Sequence, residues 1–476
     1  MAQTFAPVVN DGGKTDRQIS LLIPTDDQEV RSELRKLGEP ITLFGEGKAE
    51  RRERLVRLVS ERKHTNFEFA EVQDDSMDSD EEDEGEEEEE FYTPGDDALL
   101  EARKDILAYS IDRAVQRVDK QRKVSASYNF AQVLRHRRNI NSQLKQFEPQ
   151  GSFTVKGNTR ALNGVRINSS NSLVACSSWD GHVTIFKRDT QESISQAVRS
   201  KPGFHTEKAT VAWSPSESTT LASAGAEGTL NIWRVDDGSL TNTYRRDNAH
   251  SGRIARTEFH PSGKYLATTS FDLTWKLWDV LRPEKEILEQ EGHAKEVFAC
   301  SFHPDGSLLA TGGLDAIGHI WDLRSGRTIA TLEGHIQGIY SMDWSPNGYH
   351  LASGSADCSV KIWDMRKAHG AELFSIPAHT KIVSDVRFVQ NTHSSPLAQP
   401  VADENEENTQ TLDVSGTYLA TSSYDGTVKL WSSDNWLHVK SLVGHTDKVM
   451  SVDVGKDASC IVSCGWDRTI RLWGKV

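Results

Sequence analysis

Residues Gly334 to Asp364 read GHIQGIYSMDWSPNGYHLASGSADCSVKIWD, and this stretch predicts three short strands. Ile339–Trp344 alternates apolar with small or polar residues, and Ser345-Pro346-Asn347-Gly348 turns the chain. Tyr349–Ser355 is the second strand, Ala356-Asp357-Cys358 a tight turn and Ser359–Trp363 the third. Alternation with period two puts one set of side chains on each face of a sheet, while Pro, Asn, Gly and Asp supply the turns. A three-strand meander of this size cannot bury a core alone. It must be one copy of a repeat.

Related segments end at Phe186, Trp233, Trp278, Trp321, Trp363, Trp431 and Trp473, in steps of 47, 45, 43, 42, 68 and 42 residues. A period of about 40–45 residues, with Gly-His at one end and Trp-Asp at the other, resembles the WD repeat. The resemblance implies an all-β propeller of four-stranded blades, seven in number, over residues 151–476.

Composition divides the chain. All 12 Trp and all five Cys follow residue 150. The net charge is −15, but Asp74–Glu90 alone holds 13 carboxylates and no base, so the acidic balance says little about the folded parts. Cys176, Cys300, Cys358, Cys460 and Cys464 fall within repeats, odd in number and without CxxC spacing. That argues against a disulfide framework or zinc site and for a reducing compartment. No run of 18 apolar residues and no signal-peptide core is present, so a soluble intracellular protein with no membrane contact is expected.

Ahead of the repeats, residues 1–23 are polar and expected to be disordered. Thr25 and Gln28 stand at capping-box spacing. Val30, Leu34 and Leu37 then share a helix face that Gly38 can end. Pro40–Gly45 is a short link with apolar Ile41, Leu43 and Phe44, and a second helix is expected from Ala49 to about Arg62. This hairpin, within 24–65, has too little apolar surface to stand alone and should dock on something. Its core, Leu37-Gly38-Glu39-Pro40-Ile41-Thr42-Leu43-Phe44-Gly45-Glu46 followed by Arg51-Arg52-Glu53-Arg54-Leu55, resembles the splicing factor motif. That motif ahead of a seven-bladed WD propeller resembles the pre-mRNA-processing factor four family, WD-repeat subunits of the U4/U6 small nuclear ribonucleoprotein. The resemblance implies partner contacts through Leu37, Pro40, Ile41, Leu43, Phe44, Arg51 and Arg52. Pattern alone would allow a plain amphipathic hairpin packed on the propeller.

Residues 66–97 form an acidic linker, expected to be solvated, with Ser76 and Ser79 as candidate sites for an acid-directed kinase. From 98 to 148 the pattern is helical and basic, 11 Lys or Arg against five acids. Leu99, Ala102, Ile106 and Tyr109 share a face that Val115 and Val118 continue. Arg113, Arg117, Lys120, Arg122, Lys123, Arg135, Arg137 and Arg138 are candidate RNA contacts, since cations that neutralise phosphates release counterions. A solvated face, or an arm pairing with the acidic run, is the alternative. The resemblance also implies a cyclophilin-type partner near Phe91–Val118, without a sharply matching motif there.

Within the repeats, the WD resemblance implies a hydrogen-bonded tetrad of His, Ser or Thr, Asp and Trp. The chemistry fits, because Trp only donates, a hydroxyl does both and a carboxylate accepts. The sets are His250, Thr268, Asp272, Trp278; His293, Thr311, Asp315, Trp321; His335, Ser353, Asp357, Trp363; His379, Thr421, Asp425, Trp431; and His445, Ser463, Asp467, Trp473. The second blade has His205, Ser223 and Trp233 with Glu227 for Asp; the first has Asn158, Cys176 and Phe186 around Asp180, so its network should be largely absent. Near-copies of one constellation at one spacing are structural repetition, and no Walker lysine follows the glycines of Ala310–Gly313. No catalytic residue, metal, cofactor or small-molecule substrate is expected. The seventh blade lacks an outer strand, which Gly151–Val155 should supply. Asn391–Gln410 reads as a disordered surface insertion in the sixth blade. Trp179, Phe271, Leu314, Tyr424 and Trp466, each just before a turn acid, are expected to be exposed at the rim where partners dock, or else packed on neighbouring loops.

The expected function is a non-enzymatic nuclear scaffold of the U4/U6 and U4/U6.U5 particles. Its implied partners are a pre-mRNA-processing factor three type subunit, a cyclophilin and the small nuclear RNA. The alternative is a substrate receptor of a cullin-type ubiquitin ligase, suggested by the WD-x-Arg pattern at Trp321-Asp322-Leu323-Arg324 and Trp363-Asp364-Met365-Arg366.

Overall fold

The computed structural model describes residues 27–40, 48–63, 96–126, 129–154, 160–188, 193–197, 205–236, 239–367, 370–390, 397 and 413–475. Thr25 of the capping box, the acidic run, Asn158 and all of the 391–410 insertion but Leu397 lie outside the described residues. The chain divides into two compact units, Met1–Phe91 and Tyr92–Val476.

In the first unit, α1 (Asp27–Lys36) and α2 (Lys48–Lys63) form a hairpin. Val30, Leu34 and Leu55 are buried between them, with Leu37, Val56 and Leu58 packed around. Gly38 ends α1 at φ +70°. Its N–H bonds Arg35 O and that of Glu39 bonds Leu34 O, the paired bonds of a Schellman cap.

In the second unit, seven four-stranded antiparallel sheets form the propeller. Blades 1 to 6 cover 162–197, 209–246, 254–290, 297–332, 339–376 and 383–443, and the chain's last three strands, 449–475, belong to blade 7. The outer strand of blade 7 is β1 (Phe147–Thr154), antiparallel to Thr469–Lys475 with a register shift between Pro149 and Gly151. The closing strand therefore forms as expected, four residues longer at its start. Ring closure satisfies backbone groups that an open edge would expose.

All seven blades use one turn, in which the residue after the acid or its neighbour has positive φ. Glycine takes this position at Gly181, Gly228 and Gly426, and side chains take it at Leu273, Ala316, Cys358 and Arg468. The turn acid offsets the cost by accepting from the next backbone, as Asp272 Oδ1 does from Thr274 N at 3.1 Å.

The 98–148 region is not one helix. It forms α3 (Asp97–Ala126) and α4 (Phe130–Leu144), with Asn129 Oδ1 capping α4 by accepting from Ala131 N. Phe147 and Glu148 already belong to β1. Ala102 and Ile106 of α3 join the core of blades 3 and 4, and Ile140, Leu144 and Phe147 join Tyr418, Leu442 and Trp473 in blades 6 and 7. The apolar face does not run on through Val115, which is 55% exposed. There polar bonds replace it: Arg117 is bidentate to Asp305 (2.7–3.1 Å) and donates to Asn347 O at 2.9 Å. The two helices thus strap the face that carries the first turn of each blade.

Candidate functional site

Five blades carry the complete tetrad. In blade 5, His335 bonds Asp357 (2.8 Å) and Ser353 (2.7 Å), and Trp363 Nε1 donates to Ser353 (2.8 Å). Blades 3, 4 and 6 repeat this, and in blade 7 His445, Asp467, Ser463 and Trp473 do so at 2.8 Å throughout. Burial works to raise the Asp357 carboxyl, but bonds from His335 and Ser359 hold it well below the usual range. Glu227 does the same work in blade 2: His205 bonds it at 2.9 Å and Ser223 at 2.8 Å, and Trp233 donates to Ser223. Burial opposes ionisation there too, yet the His205 and Thr229 bonds bring Glu227 down to about 2. In blade 1, Phe186 instead stacks on Phe153 of β1 at 4.9 Å and packs with Cys176 against Cys464 and Val462 of blade 7. That blade leans on its neighbour, as its missing donors imply. Each of these groups is spent on another of its own set, so the tetrads are scaffold.

Nothing in the sequence pattern singled out Asp385, in the innermost strand of blade 6. Its carboxylate is fully buried and accepts from Arg256 (2.6 Å, blade 3), Ser341 (2.8 Å, blade 5), Arg166 (3.0 Å, blade 1) and Ser451 (2.7 Å, blade 7). One side chain ties five blades across the central channel. Burial would raise its carboxyl, but Arg166 and Arg256, then Arg387, hold it far below the carboxylate range. Beside it, Arg387 pairs with Asp343 at 3.2 Å, where burial pushes the Asp343 carboxyl up to about 6 against that attraction.

Above this cluster the channel opens into a cavity. In six of the seven innermost strands the ladder slips by one residue, at Leu162/Gly164, Ile254/Arg256, Val297/Ala299, Ile339/Ser341, Val383/Asp385 and Val449/Ser451. A bulge re-aims the extra side chain. Phe298, Tyr340 and Met450 therefore line the cavity with Lys208 and Tyr424, over a floor of Arg166, Arg256 and Asp385.

The residues before the turn acids meet at this mouth. Trp179 and Trp466 pack edge to face, centroids 6.0 Å apart. Lys448 Nζ lies 4.3 Å from the Trp466 ring and 5.2 Å from that of Tyr424. Burial raises the Tyr424 hydroxyl to about 12, with Tyr340 adding to the effect. Tyr340 packs on Phe298 (4.8 Å) and Phe298 on Phe271 (6.2 Å). Arg253 lies 5.5 Å from Phe271 and 5.7 Å from Trp179, and Lys208 Nζ 5.1 Å from Trp179 and 5.2 Å from Phe298. Six aromatic rings and three cations make a closed collar. Of the five, Trp466 is exposed (38%) and Trp179, Phe271, Leu314 and Tyr424 are half-buried, so the packed alternative describes most of them. Leu314 holds the same position in blade 4, against Gly338, and adds no ring. Phe298, Tyr340, Lys208, Arg253 and Lys448 were missed; the sequence signal is their place after the tetrad His, three residues on for the cations and five for the rings.

The basic candidates separate. Arg117, Lys120 and Arg137 turn to the propeller, bonding or facing Asp305, Asp413 (2.6 Å) and Asp434 (3.6 Å). Arg113 stacks on Tyr109 (5.9 Å) and Arg122 faces Asp119 (3.9 Å). Lys123, Arg135 and Arg138 are exposed. In the helical hairpin, Leu37 packs on the α1–α2 core, Pro40 O accepts from Arg54 (2.8 Å), Arg51 is buried and Arg52 half-buried. Ile41, Leu43 and Phe44 lie outside the described residues. Among the described residues no cluster of His, Cys, Asp and Glu could hold a metal, and no helix is long and apolar enough to cross a membrane.

Comparison with known proteins follows this division. The family profile "WD domain, G-beta repeat" matches 148–187, 238–279, 284–322, 326–364, 408–432 and 436–474, leaving unmatched the first three strands of blade 2, which still form a four-stranded sheet with its fourth. The profile "pre-mRNA processing factor 4 (PRP4) like" matches 30–58. The U4/U6 small nuclear ribonucleoprotein PRP4 of Saccharomyces cerevisiae is 37% identical over 95% of this chain and 90% of its own length. A U4/U6 small nuclear ribonucleoprotein PRP4-like protein of Arabidopsis thaliana is 37% identical over 96% and 76%. The Homo sapiens U4/U6 small nuclear ribonucleoprotein Prp4 matches at 35% over 35% of this chain and 31% of its own. With its PRP4-like motif, its ring of WD repeats and likeness over nearly its whole length, this chain belongs to the PRP4 family of U4/U6 small nuclear ribonucleoprotein proteins.

Proposed function

We propose that this chain is a non-catalytic scaffold subunit of the U4/U6 and U4/U6.U5 small nuclear ribonucleoproteins, acting in pre-mRNA splicing in the nucleus. One observation carries the reading: the PRP4-like motif at 30–58 stands ahead of the propeller in a chain that matches, end to end, relatives named for that particle. The tetrads and the Asp385 cluster support it, because their reactive groups are engaged with each other and make a rigid body. The particle's other proteins, among them a pre-mRNA-processing factor three type subunit and a cyclophilin, would dock on such a body. Exposed apolar Leu100, Leu107, Ile111 and Val115, at helical spacing along α3, support docking of a protein there. Exposed Lys123, Arg135 and Arg138 support contact with snRNA phosphates.

The ligase reading draws on the WD-x-Arg pattern alone, since Arg324 bonds its own Asp322 (3.0 Å) and Arg366 its own Asp364 (2.8 Å). Affinity purification of the tagged full chain from nuclear extract separates the two. Recovery of U4 and U6 RNA with splicing proteins supports the scaffold. Recovery of cullin-ligase subunits without those RNAs refutes it.

A further inference from the structure

The collar at the channel mouth contains cations in need of a counter-ion. Lys208 is 6% exposed, and its ammonium lies over the Trp179 and Phe298 rings. Among the described residues no carboxylate bonds it, and the charges that act on it, Arg253 and Arg256, share its sign. Burial, then that repulsion, bring it down to about 7. Arg253 and Lys448 likewise face rings, with no side-chain ion pair among the described residues. Trp179 Nε1 is a buried donor without an acceptor. A buried donor left unpaired costs free energy, and this one belongs to the ring that the Lys208 ammonium lies over, so the site is shaped for an acceptor that is not part of it. The floor cannot serve: Asp385 is saturated by Arg166, Arg256, Ser341 and Ser451.

We propose that this collar is a docking site for an acidic peptide segment of a partner protein, which inserts a carboxylate between Lys208, Arg253 and Trp179 and rests apolar neighbours on Trp466, Phe298 and Tyr340. Two features favour peptide over single-stranded RNA. The indole face of Trp179 is shared by Lys208 and Arg253, and that of Trp466 is approached by Lys448, so bases would have to displace cations before stacking. The rings also close into a ring around one mouth rather than along a groove that could track a backbone. The site lies on the face opposite the strap of α3 and α4, so it can be filled while the helices hold another partner. The inference uses the scaffold reading only for the existence of partners.

The test is selection of a displayed random dodecamer library on the immobilised full chain, followed by titration of the selected peptides by fluorescence anisotropy. Enrichment of Asp or Glu flanked by aliphatic or aromatic residues is expected. Lys208→Met should weaken those peptides by about tenfold or more, the worth of a charge-assisted bond, while Lys208→Arg weakens them less. Lys208→Met removes a buried like charge, so its melting temperature should not fall, and a folded variant is available. Selected peptides without acids, acidic peptides that bind Lys208→Met unchanged, no selection at all, or tighter binding of a decauridylate that competes them off would each overturn the proposal. Recovery of U4 and U6 RNA by the wild-type chain is scored separately, so the scaffold reading can stand while this one fails.

Discussion

Replacing Asp385 by Asn tests what holds the seven blades as one body. The wild-type carboxylate accepts bonds from Arg166, Arg256, Ser341 and Ser451, and from the backbone N–H of Val386 and Val452 at 3.1 and 3.4 Å. The amide keeps the shape but loses the charge and turns an NH2 toward donors. The Arg166 and Arg256 side chains are only 13% and 12% exposed, so each is left without its counter-charge in a site that water barely reaches. Breaking a buried pair from one side costs about 3–5 kcal/mol, against a whole-domain stability of roughly 5–15 kcal/mol. The expected result is a drop of that size in guanidinium unfolding followed by tryptophan fluorescence. Asp385→Asn combined with Arg256→Met should lose less than the sum of the two single changes, because the second removes a charge the first orphaned. The linkage has a definite sign. The folded carboxyl is depressed, so its stabilisation is present above the unfolded Asp value near ~3.9 and is lost as pH falls below it. The Asn variant should show a flatter acid limb. A loss under about 1 kcal/mol, or strict additivity in the double variant, would refute the claim that this carboxylate ties the blades together.

Three further outcomes are expected. Phe147→Ala removes a fully buried ring where β1 closes blade 7, and should cost about 3–5 kcal/mol in the same titration. Arg117→Ala leaves the buried Asp305 carboxylate without its bidentate partner; amide exchange along α3 should quicken and limited proteolysis should cut within 97–126 while the blades stay protected. Lys208 sits at about 7 in the fold, below the unfolded lysine value near ~10.4, so between those values the unfolded state binds more protons. Wild-type stability should therefore gain from this residue as pH rises from 7 toward 10, and Lys208→Met should lack that increment when the two melting-temperature profiles are compared.

Local chemistry and chain-neighbour spacing carried most of the architecture. Each blade is a meander whose turns are written in Asp, Gly and Pro and whose hydroxyl, acid and Trp positions recur at constant offsets, so three strands per repeat, the blade count and the unpaired last blade were legible along the chain, and the fourth strand came with the WD resemblance. The hairpin of α1 and α2 was legible too, because Val30, Leu34 and Gly38 act within one helix and its cap. The basic region read less well. Its periodicity suggested one continuous face, yet the chain breaks at Asn129 and Arg117 takes over where the apolar face stops, because Asp305 and Asn347 arrive there from distant blades. Glu227 looked like a departure, but one extra methylene still lets a carboxylate reach His205.

What the linear order could not express is what happens across the channel. Asp385 meets Arg166 from 219 positions away and Arg256 from 129. A charged residue inside an inner strand looks the same whether it points to water or to four donors. The collar has the same origin: a single-residue slip in six inner strands, invisible in composition, turns Phe298 and Tyr340 toward the axis beside Lys208. Repetition within a blade is a property of neighbouring residues and survives in the sequence. The meeting of seven blades at one axis exists only once the ring has closed, and both the carboxylate that ties it and the cations at its mouth are products of that closure.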